Sequence, residues 1–267
     1  MVVDKVSGGS GFNPFAGNSI EKVLPATEPQ TEILLSCIVG GKDANLAYNQ
    51  SISLSFSGPL NESVLRDSLQ ELLNRNEALR SSFNADGTQM FIYASQPLDL
   101  FYRDISASSE ARQNIITDDY NRNDASTPFD LINGPLIRFA LFKKAEDQFL
   151  LTISVHHVIC DGWTWGIMFE QLSSSYNSKL KNEPLSDQPL LFSDYVKKVL
   201  AFSGTDEYVQ TEKYWLDEYK NNIPFFEVQP DFPRPLMRTY KSNGYNYTLS
   251  NDLAEAVKKT GAKYGCS

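Results

Sequence analysis

The sequence predicts an α/β fold in which helices pack on a mixed sheet. Apolar residues alternate with Asn and Ser from 48 to 56, which is typical of a strand with one solvated face. Leucines then recur at spacings of three and four from Asn61 to about Arg75, which predicts a helix capped by Asn61. With 267 residues, 41% of them apolar, the chain can bury a sizeable core, and this length favours two lobes.

The same periodicities predict further elements in chain order. Short strands over 79–83 and 89–94 flank an Asp86-Gly87 turn and form a hairpin, and a polar helix follows over 109–121. The apolar run 136–142 and the alternating run 149–155 predict two buried strands. The remaining predictions are helices over 164–180 and 207–220, a strand over 245–249 and a last helix capped by Ser250.

Composition divides the chain into three parts. Residues 1–20 are rich in Gly, Ser and Asn and are expected to form a flexible linker. Residues 21–185 are expected to form a first lobe, and the polar, proline-containing stretch 182–189 marks its end. Residues 186–267 are expected to begin a second lobe. Because nothing follows to bury the last helix, we expect this chain to be a fragment of a longer polypeptide.

Charge and cysteine content exclude several classes of protein. The balance of 24 Lys and Arg against 33 Asp and Glu gives a net charge of −9, and no basic cluster offers a phosphate footprint. No apolar run is long enough for a membrane span or a signal peptide. Three cysteines without CxxC spacing argue against a disulfide framework or a zinc cluster. We therefore expect a cytoplasmic protein that binds no metal, no nucleic acid and no membrane.

Residues 156–162, His-His-Val-Ile-Cys-Asp-Gly, form the main candidate site. His156 and His157 are the only histidines, and strand alternation sends them to opposite faces. An imidazole such as His157 can take a proton from an attacking amine or hydroxyl. A carboxylate at Asp161, buried in a turn, would need to pair with an arginine, and Gly162 would leave room for a substrate. From these residues alone, a site and an ordinary histidine at a strand end are equally compatible.

Cys160 is a poor candidate for a nucleophile beside His156, because adjacent residues in a tight turn rarely reach the geometry of a Cys–His pair. The acidic residues Asp118, Asp119, Asp124 and Asp130 fit no calcium loop and are more typical of a solvated face.

Residues 156–162 resemble the HHxxxDG motif of condensation domains from nonribosomal peptide synthetases, members of the chloramphenicol-acetyltransferase-like superfamily. Four more segments resemble the family's motifs in order: 75–83 (RHExLRTxF), 128–138 (PFDLxxGPLxR), 192–195 (YxDYA) and 231–235 (DRPRP). Residues 25–40, with Thr27, Gln30 and Glu32, match the opening motif more loosely. Asn76 and Ser82 depart from the family's His and Thr, and both changes are expected to be tolerated.

The resemblance implies a two-layer sandwich with a mixed sheet, the first lobe of a two-lobed, V-shaped domain, and only the start of the second. It implies an acyltransferase in which the acceptor's amine attacks the donor's thioester and forms an amide. His157 is then catalytic, as general base or by positioning the amine, within the motif that also holds His156. Asp161 is structural and pairs with Arg75 or Arg80, and Gly162 lines the channel, where its backbone N–H would contact the oxyanion.

The resemblance also implies the partners. These are donor and acceptor peptidyl carrier proteins, whose 4'-phosphopantetheine arms carry the substrates, and the adjacent adenylation domain of the parent synthetase. The chain itself then binds no cofactor directly. Because the late motifs are missing, this chain alone need not be active. Two alternatives stay open, namely a related HxxxDG acyltransferase with another donor and a catalytically incomplete interaction module.

Overall fold

A computed structural model of the chain describes residues 19–185, 188–221, 223, 227–241 and 247–266. The strands are β1 (Ile20–Pro25), β2 (Asn49–Ser57), β3 (Ser81–Phe83), β4 (Gln89–Tyr93), β5 (Leu100–Asp104), β6 (Ile137–Ala145) and β7 (Gln148–His156). The helices are α1 (Glu28–Ala47), α2 (Glu62–Arg75), α3 (Glu110–Ala125), α4 (Gly162–Lys181), α5 (Phe192–Phe202), α6 (Asp206–Glu218) and α7 (Asn251–Lys263), with a 3-10 helix over Glu77–Arg80.

The strands form two sheets. The larger has the order β2-β7-β6-β5, and it is mixed because β5 runs parallel to β6 while the other pairs are antiparallel. The smaller has the order β1-β4-β3 and is antiparallel throughout. The predicted α/β fold with a mixed sheet is confirmed.

The main core lies between the larger sheet and the pair α2 and α4. Leu151, Ile153 and Val155 of β7 are fully buried and share a hydrophobic cluster with Leu69 of α2 and Met168 of α4. Burial of each such side chain contributes about 1.5–3 kcal/mol. The opposite face of the sheet packs against α3 through a smaller cluster. This packing fixes the end of β7, where the two histidines lie.

The regular amphipathic elements were predicted correctly, and less regular ones were missed. The structure confirms the strands and helices predicted between 48 and 180, except that Leu79 and Arg80 of the strand predicted over 79–83 belong to the 3-10 helix. It also confirms the helices near 207–220 and after Ser250, and Asn61 as the cap of α2. It adds β1, α1, β5 and α5, which the periodicity did not predict. In the predicted strand 245–249, residues 247–249 are not in a strand, and the other two lie outside the described residues.

The predicted linker and the predicted second lobe are described only in part. Residues 1–18 lie outside the described residues, and β1 begins at Ile20, inside the predicted linker. α5 packs back against β1 and the 3-10 helix, whereas α6 and α7 bury none of their residues. Within the described part of the chain, no helix combines the length and apolar composition that crossing a membrane requires.

Candidate active site

The two histidines lie where β7 ends at the edge of the main core. His156 is the last residue of the strand, and its N–H donates to the Leu136 carbonyl at 3.0 Å. The His157 N–H donates to the Tyr48 carbonyl at 2.9 Å, just before β2 begins. His156 is fully buried, whereas His157 is partly exposed and lines a cleft of about 660 Å³. The two side chains therefore point to different environments, as strand alternation predicts.

His156 is held as a neutral, structural imidazole. Its Nδ1 accepts a hydrogen bond from the Val158 N–H at 3.2 Å, and its Nε2 lies 3.9 Å from the Cys37 Sγ. Because Nδ1 accepts, the hydrogen-bond network assigns the ring proton to Nε2. Burial, with a smaller contribution from His157, lowers the pKa of His156 to about 4. His156 is therefore uncharged at neutral pH and does not reach the cleft.

Asp161 caps α4 instead of forming a buried ion pair. Its side chain is exposed, and its Oδ1 accepts hydrogen bonds from the Thr164 N–H at 2.9 Å and the Thr164 Oγ1 at 2.6 Å. In return the Thr164 Oγ1 accepts from the Asp161 N–H at 3.1 Å, which completes a capping box. These hydrogen bonds hold the pKa of Asp161 below its ordinary value.

The predicted pairing of Asp161 with an arginine is therefore wrong. Arg80 donates to the Glu21 carboxylate at 2.7 Å and to the Tyr93 carbonyl. Arg75 is buried at the end of α2 and is not among the groups that shift the pKa of Asp161. The prediction failed because it assumed that the turn is buried, and an exposed carboxylate needs no arginine.

The other two residues of the motif differ in exposure. Gly162 is the exposed first residue of α4, and apart from its chain neighbours and the backbone of its own helix no atom lies within 4 Å of the position that a Cβ would take. Its neighbours Asp161 and Thr164 line the cleft, and the expectation that Gly162 lines a substrate channel stays a prediction. Cys160 is buried, and burial raises the pKa of its thiol to about 12. The thiolate is therefore scarce at neutral pH, which agrees with the sequence argument against a cysteine nucleophile.

Three further segments build the walls of the cleft. The first turn of α1 contributes Gln30, the 3-10 helix lies beside Asn76, and α4 contributes Gln171. The Asn76 Nδ2 donates to the Gln171 Oε1 at 2.7 Å, so the residue that departs from the family motif joins two walls. The lining also includes the large hydrophobic or aromatic residues Ile167, Leu190, Leu191, Phe192 and Tyr195.

A buried carboxylate, that of Glu77, ties one wall of the cleft to β1. Glu77 is only 2% exposed and accepts from the Lys22 Nζ at 2.5 Å and from the Ser193 N–H at 2.7 Å. The resulting ion pair and hydrogen bonds hold the pKa of Glu77 below its ordinary value, although burial opposes this shift. Motif 75–83 therefore holds motif 192–195 in place through the hydrogen bond between Glu77 and Ser193. Both motifs are recognisable in the sequence, but no sequence pattern points to the role of Glu77.

Motif 128–138 is architectural in this structure. The Asn45 side chain accepts from the Phe129 N–H and donates to the Phe129 carbonyl, both at 3.1 Å. The Arg138 guanidinium lies over the Phe129 ring, 3.8 Å from its centroid, and its Nε donates to Asp124 at 2.6 Å. The Phe129 ring in turn packs edge-on against His156, with centroids 6.1 Å apart. This loop closes the buried side of the histidine pair.

Among the described residues, no group of three His, Cys, Asp or Glu side chains is placed to hold a metal ion.

In this α/β fold, the end of the inner strand β7 presents one partly exposed imidazole to an open cleft, with a second histidine buried behind it. A family model for the condensation domain matches residues 20–267, and the chain belongs to this family. It is 29% identical over 244 residues to malpinin synthetase of Mortierella alpina and 30% identical over 223 residues to surfactin synthase subunit 2 of Bacillus subtilis. These matches cover 91% and 82% of the chain but only 3% and 6% of those synthetases.

Solved condensation domains share the fold. The starter condensation domain of the rhizomide synthetase RzmA matches with a TM-score of 0.67 and 19% identity, over 76% of this chain and 51% of that chain. VibH, a condensation enzyme of a nonribosomal peptide synthetase, matches with a TM-score of 0.64 and 19% identity, over 74% and 46%. The present chain thus spans about half of these domains.

Proposed function

We propose that this chain supplies the first lobe, residues 21–185, and the beginning of the second lobe of a condensation domain that forms amide bonds. The observation that carries the proposal is the placement of His157, the one described imidazole that reaches the cleft. The membership of the family adds the type of reaction. Residues from 186 onward, including the exposed helices α6 and α7, begin the second lobe in this proposal.

The proposed reaction joins two thioester-bound substrates. The acceptor's amine attacks the carbonyl carbon of the donor's thioester, so a C–N bond forms and the C–S bond breaks. His157 accepts or hydrogen-bonds the proton that the amine loses, and the thiolate that leaves takes up a proton. General acid–base catalysis of this kind raises the reaction rate by about 10²–10⁴-fold. Because burial keeps the Cys160 thiol protonated, the proposal uses direct attack and no acyl-enzyme intermediate.

The proposal also defines the partners. Donor and acceptor peptidyl carrier proteins would bring their substrates on 4'-phosphopantetheine arms, and an adenylation domain of the same synthetase would activate the acceptor. The donor already carries the energy of its thioester, so the cleft needs neither a metal ion nor a cofactor of its own. A cytoplasmic location fits the sparse, unpaired cysteines.

The test compares two variants in the full-length polypeptide that carries this chain. Donor and acceptor carriers are loaded, and the dipeptidyl thioester is followed by mass spectrometry. We expect His157→Ala to reduce amide formation by about 10²-fold or more. Gln148→Ala, at the exposed opposite end of the same strand, is the matched control and should retain wild-type activity.

Two outcomes would redirect the assignment. If folded His157→Ala matched the wild type with several substrate pairs, the chain would act as an interaction module rather than as a catalyst. If the wild type used only a soluble acyl donor, the related acyltransferase with another donor would replace the proposal.

A further inference from the structure

The backbone segment that follows His157 is fixed by hydrogen bonds on two sides. Val158 follows His157 directly, and its N–H donates to the His156 Nδ1 at 3.2 Å. Its carbonyl accepts a hydrogen bond from the Gln30 Nε2 at 3.3 Å. Together with the bond from the His157 N–H to Tyr48, these contacts restrain the peptide groups on both sides of the His157 side chain.

Gln30 has no polar atom left for a substrate, although it lines the cleft. Gln30 is only 5% exposed, and its Oε1 accepts hydrogen bonds from the Thr27 N–H at 3.0 Å and the Thr27 Oγ1 at 3.1 Å. Its amide donates to Val158 and makes a weaker contact with the Met90 Sδ at 3.8 Å. A glutamine offers two donor hydrogens and one carbonyl oxygen, so its capacity is used within the protein. Gln30 therefore acts through other residues.

We propose that Gln30 is a positioning residue for His157, acting through the Val158 carbonyl. This inference rests on the proposed function, in which His157 meets the attacking amine. Gln30 couples three parts of the fold, namely the start of α1 at Thr27, the smaller sheet at Met90 and the turn after β7. Removing its amide leaves the Val158 carbonyl without this donor and frees the turn that carries His157. A displacement of about 1 Å in a reacting group can cost about 10²-fold in rate.

The variant that tests the role is Gln30→Met, which keeps the length of the side chain and removes its hydrogen bonds without adding charge. The chain offers a matched control in Gln113, another buried glutamine. The Gln113 Nε2 donates to the carbonyls of Ile105, Ser108 and Lys144, none of which lines the cleft. Gln113→Met therefore removes equivalent buried hydrogen bonds on α3, away from His157.

The first readout is the nuclear magnetic resonance spectrum of the imidazoles in this chain. With only two histidines, the spectrum holds two sets of ring signals, and the His156 set is recognised because its pKa is lowered to about 4. We expect Gln30→Met to move the His157 ring signals, while Gln113→Met leaves them in place. Unchanged His157 signals in folded Gln30→Met would overturn the proposal.

The second readout is amide formation by the full-length polypeptide. We expect Gln30→Met to lower kcat by about 10- to 100-fold, with KM within about threefold of the wild type, because the substrates still bind. An equal loss of kcat in Gln113→Met would show that lost stability explains the effect, and would overturn the proposal. If Gln30→Met does not fold, Gln30→Glu keeps the acceptor for Thr27, loses the donor to Val158, and should show the same loss of kcat.

The two readouts separate this inference from the function on which it rests. If His157→Ala were fully active, the proposed function would fail. The imidazole signals would still show whether Gln30 holds His157 in place.

Discussion

Replacing Asp161 by alanine distinguishes a helix cap from a buried ion pair. In the structure, its carboxylate is exposed and accepts two hydrogen bonds from Thr164 at the start of α4. Loss of such a cap costs about 0.5–2 kcal/mol of the free energy of unfolding. Loss of one partner of a buried ion pair would cost about 3–5 kcal/mol. We therefore expect Asp161→Ala to destabilise the chain by about 1 kcal/mol.

The expected change is measurable in this chain by urea and thermal unfolding, followed by circular dichroism. For a domain of this size, 1 kcal/mol lowers Tm by about 2–4 °C. Asp161→Asn is the matched control, because asparagine caps helices about as well as aspartate and keeps an acceptor for Thr164. It should lose only the favourable interaction of the negative charge with the helix N-terminus, about 0.3–1 kcal/mol.

The pH dependence gives an independent check. Because the folded pKa of Asp161 lies below its ordinary value of 3.8, the charge stabilises the folded state above that value. This stabilisation is lost as pH falls through the folded pKa, so the stability difference between wild type and Asp161→Asn should shrink only in acid below about pH 4. A loss of 3–5 kcal/mol in both variants at pH 7 would refute the reasoning and restore an ion pair for Asp161.

Three further predictions concern buried groups. The pKa of His156 is lowered from 6.5 to about 4, so the free energy of unfolding should fall as the pH drops from 6.5 to 4. Urea denaturation of His156→Gln over this pH range should show that this contribution to the fall is lost. Glu77→Ala should cost about 3–5 kcal/mol by breaking a buried ion pair, and hydrogen exchange should show faster opening of α5; normal protection there would contradict the role of Glu77. A maleimide should label only Cys266 in the native chain and all three cysteines in urea, because burial raises the pKa of the other two; rapid native labelling of a second thiol would contradict this burial.

The sequence predicts elements whose periodicity matches their burial. β2 alternates between Ser and apolar residues, and the structure buries one side more than the other; α2 repeats Leu at helical spacing and buries that face. α1 lacks such a signal because it contains Gly40 and Gly41 and bends at Gly41, where φ is +61°. β5 is short and largely exposed, so its sequence carries little alternation.

The histidine pair could be located from sequence, but the interactions around it could not. Strand alternation alone separates His156 from His157, and the structure places one in the core and one in the cleft. The assumed burial of Asp161 was wrong because a helix begins directly after it and leaves the cap exposed. Gln30 lies 128 residues from Val158 in the sequence, and Glu77 lies 116 residues from Ser193. Local patterns carry no information about contacts at such separations.

The two motifs that flank the cleft act together through Glu77. This residue binds the Ser193 backbone, and its neighbours in the sequence, Asn76 and Ala78, line the cleft. Phe192, next to Ser193, lines the same cleft. A carboxylate buried at this junction keeps its charge only if Lys22 and Ser193 stay in place, so the position of α5 is coupled to the wall of the cleft. Through Glu77, α5 is therefore tied to β1 and to the 3-10 helix beside the cleft.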